Sequence, residues 1–108
     1  DNKIFFYMKP TIVNLIFAVI LLYGEIILKK PLLKNLFEGS IKMTDEGWNI
    51  LNRRWLYFFI FLALLNEIIW RTQSEEFWVQ FKVFGLIPIT VIFTIMQVSL
   101  IQKYRVDQ

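Results

Sequence analysis

The sequence predicts an all-α integral membrane protein: three transmembrane helices, with an amphipathic interfacial helical connection between the first two. Two observations carry this reading. Apolar residues make up 56% of the 108 residues, above the ~45–50% of a soluble globular domain. They also fall into three long runs bordered by aromatic and basic residues, which is how a helix meets the two membrane–water interfaces. Aromatics reach 18%, with eleven Phe and four Trp, more apolar surface than the few polar residues could cover. The length allows a single domain, residues 1–108. Cys and His are both absent, so thiolate nucleophiles, disulfides, imidazole catalysis and the usual zinc sites are excluded. The reading is therefore non-enzymatic, with no catalytic, cofactor-binding or metal residue. The chain opens on Asp1, which suggests a fragment or a processed product, and its first apolar run lacks a signal-peptide cleavage pattern.

Residues 1–10 form an aromatic flank in which Phe5, Phe6 and Tyr7 suit a headgroup region. Pro10 and Thr11 are the expected helix start. The first span, residues 11–28, rises about 27 Å, close to a hydrocarbon core of ~30 Å. Its polar exceptions are Asn14 and Glu25. Glu25 lies four residues before Lys29, the spacing of a helical Glu–Lys pair at the interface.

Residues 29–54 are the basic, amphipathic connection. Pro31 suits the first position of a short helix, Leu32, Leu33, Leu36 and Phe37 share a face, and Gly39 suits its end. Such a helix lies on the membrane surface. Thr44 then reads as an N-cap, with Asp45 and Glu46 at the positive end of the next helix. Met43 and Trp48 have the spacing of a hydrophobic staple. Trp48, Leu51, Asn52 and Trp55 fall on one stripe. Arg53 and Arg54 mark an expected hinge between this surface-lying half and the second span.

The second span, residues 55–70, carries Asn66 and Glu67 near its far end. Residues 71–82 are a mixed-charge turn. The third span, residues 83–101, has Gly85 and Pro88 in its first turns and Thr90, Thr94 and Gln97 on a weakly polar stripe. Trp48, Trp55, Trp70 and Trp78 read as interfacial anchors, two on each side of the second span. Eight basic residues fall in the connection and the tail, against four elsewhere (Lys3, Lys9, Arg71 and Lys82). The positive-inside rule then puts this chain's N-terminus outside, the connection in the cytoplasm, and the C-terminus in the cytoplasm.

Glu67 is the sharpest site. An ionisable residue inside a helix end needs a partner, and Lys82 or Arg71 is in reach, with Lys82 favoured for a buried polar tie. The basic connection supports three readings: a topology signal, attraction to anionic lipid worth ~1 kcal/mol per basic residue, or docking of a partner protein through its entry half, residues 45–55. Nucleic acid does not fit, because the basic residues alternate with membrane-facing apolar ones. The lipid bilayer is the first partner, and a homo-oligomer is compatible with the pattern.

The run Trp48, Leu51–Asn52, Trp55, Phe58–Phe59 and Asn66–Glu67 resembles the intracellular septation protein A family. So do Trp78–Val79, Phe81–Lys82 and Phe84–Gly85, with Thr90, Phe93 and Thr94 beyond. Upstream, Lys9-Pro10-Thr11 and Lys29-Lys30-Pro31-Leu32 fit the same pattern. The stretch WVQFKVFG at 78–85 is its most specific part. The resemblance implies a bacterial inner-membrane protein of about five membrane-spanning helices, of which this chain would be the C-terminal portion. It implies a role in septation and cell-envelope biogenesis and integrity, through contacts with the division and elongation machinery, and no catalytic residue or cofactor. The interaction or structural positions are Trp48, Asn52, Arg53, Arg54, Trp55, Asn66, Glu67, Trp78, Phe81, Lys82 and Gly85. The alternative is a small transporter or channel component whose pathway is lined by Asn14, Asn66, Glu67, Thr90, Thr94 and Gln97.

Overall fold

The computed structural model describes residues 2–106. Helix α1 (Asn2–Tyr23) ends in a wide π-helical turn, Gly24–Leu28. A short helix α2 (Leu32–Phe37) leads to the long α3 (Asp45–Thr72). Helix α4 (Glu75–Gln80) runs through a second π turn, Phe81–Gly85, into α5 (Leu86–Lys103). Among the described residues, three helical stretches are long and apolar enough to cross a membrane: Lys3–Leu28, Asp45–Thr72 and Glu75–Lys103. Their 26, 28 and 29 residues rise about 39–44 Å, so tilt or headgroup-level ends must absorb the excess over a ~30 Å core.

The helices are longer than the hydropathy runs, and the reason differs at each end. Pro10 lies inside α1 rather than at its start. A mid-helix proline removes a hydrogen bond and favours a break, but aromatic packing holds the turns before it. Phe6 meets Trp78 at 5.4 Å and Tyr7 stacks on Trp70 at 5.5 Å between ring centroids. In α3 the expected hinge at Arg53–Arg54 is absent: the helix runs unbroken from Asp45. Its entry half does not lie alone on a surface, because α2 and the C-terminal tail cover it.

The cap is as expected. The Thr44 hydroxyl accepts from the Gly47 N–H at 3.1 Å, and Met43 and Trp48 are buried in one apolar cluster with Leu21, Leu33, Leu51, Leu56 and Leu100. The tail closes this end. Thr44 N–H donates to the Tyr104 carbonyl and Val106 N–H to the Lys42 carbonyl, each at 2.9 Å, pairing Met43 with Arg105 as an antiparallel bridge. Gly47 permits this approach, since a Cβ there would stand 2.5 Å from Tyr104 Cβ. The outward residues of the spans, such as Val19, Leu64, Phe84 and Ile95, are apolar and exposed, as lipid contact requires.

Candidate functional site

Two polar clusters tie the bundle together, one at each end. Tyr7 and Thr11 stand one turn apart on α1, and Asn66, Glu67 and Trp70 project from the end of α3 toward them. Asn66 is 2% exposed and every one of its groups is used. Its Nδ2 donates to the Tyr7 carbonyl at 2.9 Å and to Thr11 Oγ1 at 2.7 Å. Its Oδ1 accepts from Trp78 Nε1 at 2.9 Å. The Thr11 hydroxyl donates in turn to Glu67 Oε2 at 2.7 Å. Trp70 Nε1 donates to the same oxygen at 2.8 Å, and Arg71 Nε to Oε1 at 2.9 Å. One amide and one carboxylate thus join α1, α3 and α4.

Lys82 is not the partner of Glu67, contrary to the charge-based expectation. Its ammonium lies over the Trp78 ring, 4.5 Å from the centroid, with Phe6 at 5.5 Å, a cation–π position. Arg71, four residues from Glu67 on the same helix, wins by proximity. Trp78 is 1% exposed and acts as a packed hydrogen-bond donor rather than an interfacial anchor. Trp48, equally buried, also leaves the proposed aromatic belt; Trp55 and Trp70 are half-buried. Trp55 meets Phe93 of α5 edge-on at 4.7 Å, and Phe58 stacks on the same ring at 4.0 Å. Phe81 and Gly85 share the second π turn, where the Phe81 ring covers Gly85 so closely that a Cβ there would lie 2.4 Å from it.

The second cluster joins the end of α1 to α3. Asn52, with no exposed surface, accepts from the Leu33 N–H at 3.3 Å and donates to Glu25 Oε2 at 2.9 Å. Arg53 holds Glu25 Oε1 at 2.9 Å. The expected Glu25–Lys29 pair does not form. The π turn widens the helix there and Lys29 turns out of it, with a left-handed φ of 59°, so the i,i+4 geometry is lost. Arg54 crosses to α5 and donates to Gln97 Oε1 at 3.1 Å. Beyond Glu25, a cleft of about 610 Å³ opens, lined by Lys29, Lys30, Arg53, Arg54 and Tyr57 among others.

Both clusters serve cohesion first. Asn52 and Asn66 are too deeply buried to meet a partner through their own side chains; of residues 52–55, Arg53 and Arg54 stand exposed. Within the single chain, the polar residues proposed for a transport pathway do not line one common cavity. Asn14 Nδ2 donates to the Pro10 carbonyl, and Thr94 to the Thr90 carbonyl, within their own helices. Thr94 and Gln97 border an apolar cavity of about 730 Å³ that Asn66 and Glu67 do not reach. The sequence reading missed Thr11 as the hub of the first cluster. The signal was the Tyr7–Thr11 spacing, which places both on one helical face, where intramembrane polar groups turn toward protein.

The model of the intracellular septation protein A family matches residues 1–108. The chain belongs to this family. It is 52% identical to the inner membrane-spanning protein YciB of Sinorhizobium medicae over 108 residues, covering the whole chain and 51% of that relative. It is 50% identical to the YciB protein of Rhizobium meliloti over the same length, again 51% of the relative. The YciB protein of Brucella anthropi is 48% identical over 107 residues, 99% of this chain and 48% of the relative. The chain thus spans about half the length of these curated relatives. No solved structure matches it. Family membership and the three apolar helices make it a multi-pass membrane protein.

Proposed function

We propose that this chain works as a non-enzymatic part of a bacterial inner-membrane protein in septation and cell-envelope integrity, through contacts with division and elongation proteins. The observation that carries the reading is the family match over all 108 residues, together with the names of relatives about half identical to it. The site geometry agrees. The buried polar groups, Asn52 and Asn66, lock helices together, and the exposed surface is apolar flank and basic rim. In this reading the connection and the tail face the cytoplasm. They occupy the same end of the bundle and hold eight of the twelve basic residues, as positive-inside orientation requires.

Partner contact then belongs to exposed positions at that end, such as Leu36 on α2, 72% exposed, and Glu46 on α3, rather than to Trp48 or Asn52. The test is photocrosslinking in cells from Leu36 and Glu46 of the full-length protein, with the captured proteins identified. Division or elongation proteins are the expected catch. Recovery of lipid alone would refute the contact reading.

A further inference from the structure

We propose that the basic cleft beside the π turn of α1 is a binding site for the phosphate headgroup of an anionic phospholipid. Four basic residues line it (Lys29, Lys30, Arg53 and Arg54) against one carboxylate, Glu25. That carboxylate does not repel a bound phosphate fully, because Arg53 and the Asn52 amide already occupy its two oxygens at 2.9 Å. Arg54 gives one nitrogen to Gln97, which leaves most of its five N–H donors for an oxyanion. The ammonium groups of Lys29 and Lys30 enter no ion pair among the described residues.

Their placement is built into the backbone. Lys29 holds φ at 59°, in the left-handed region that L-residues seldom adopt. The turn is fixed by backbone bonds from Lys29 and Lys30 N–H to the Gly24 carbonyl, and by Gly24 itself, where a Cβ would stand 2.5 Å from Leu32 Cγ. This turn carries both lysines into the wall of the cleft rather than along the helix. At about 610 Å³ the cleft exceeds a bare phosphate and suits a phosphodiester with its glycerol.

The surroundings select a lipid over a soluble phosphate ester. The cleft lies where α1 and α3 leave their apolar runs: Tyr57 in its wall is 61% exposed, and Ile26 and Ile27, which follow Glu25 along the chain, are 57% and 59% exposed. A headgroup held there would leave its acyl chains along that apolar flank. The inference is independent of the septation reading, and either can fail alone.

The test uses the full-length protein in nanodiscs of phosphatidylglycerol and phosphatidylcholine, with retained lipid counted by native mass spectrometry. The expected result is enrichment of phosphatidylglycerol that falls about fivefold for each of Lys29→Gln and Lys30→Gln, since each removes one surface cation. Lys34→Gln makes the same change of charge, but Lys34 pairs with Asp45 outside the cleft, and retention should hold. Asn49→Asp sets a carboxylate in the cleft wall without touching a lysine and should abolish enrichment. An equal loss in Lys34→Gln, or unchanged retention in Asn49→Asp, would overturn the site. Displacement of the lipid by an equal concentration of free glycerol phosphate would overturn the lipid as its occupant.

Discussion

Replacing Asn66 by Leu tests the central claim that a buried amide holds three helices in register. The change keeps the number and branching of the side-chain heavy atoms and removes all three hydrogen bonds. Of the three partners, Thr11 still has Glu67 Oε2 as an acceptor at 2.7 Å. The Trp78 indole N–H and the Tyr7 carbonyl lose the partners they had at 2.9 Å. Interhelical hydrogen bonds in membranes are worth about 0.6–1.7 kcal/mol each, and orphaned buried groups cost about 1–3 kcal/mol in water. The expected loss is therefore about 2–4 kcal/mol. Asn14→Leu is the internal comparison, since the Asn14 amide bonds only to the Pro10 carbonyl within α1, and it should cost under about 1 kcal/mol. Reversible unfolding in mixed detergent micelles measures both. Equal stabilities for the two variants, or a more stable Asn66→Leu, would refute the clamp.

The same assay separates the two members of the other cluster. Asn52→Leu orphans the buried Leu33 N–H and should cost about 1–3 kcal/mol, whereas Arg53→Gln loses an ion pair whose arginine side chain is 63% exposed and should cost under about 1 kcal/mol. Gly47→Ala would drive a methyl into Tyr104; the overpacking, about 1–3 kcal/mol, should outweigh the ~1 kcal/mol gain in helix propensity, and faster proteolysis of the tail would report it. The hydrogen bond from Lys34 to Asp45 holds the Lys34 ammonium above the ordinary lysine range. Its contribution is complete below the ordinary value and disappears as pH rises through the raised one. An NMR titration of labelled lysines should show the Lys34 ammonium titrating late and returning to the ordinary range in Asp45→Asn.

Much of this could be read from residue order. Thr44 before Asp45 and Glu46 gave the start of α3, and its hydroxyl caps Gly47 as expected. The stripe Trp48–Leu51–Asn52–Trp55 gave the buried face, though not what it is buried against. The start of α1 lies well before the expected Pro10–Thr11, because the aromatic rings of α3 and α4 hold the turns ahead of the proline.

The sequence alone determined the three apolar spans, the cap, the all-helical class and the family, because hydropathy, capping and i,i+4 spacing are properties of neighbours along the chain. Only the tertiary structure decided the polar partners: Glu25 with Arg53 rather than Lys29, Glu67 with Thr11 and Arg71 rather than Lys82, and Trp78 with Asn66. Those pairings depend on how each helix is rotated about its axis and where the axes cross. A π turn of five residues, Gly24–Leu28, is enough to change which charged groups meet.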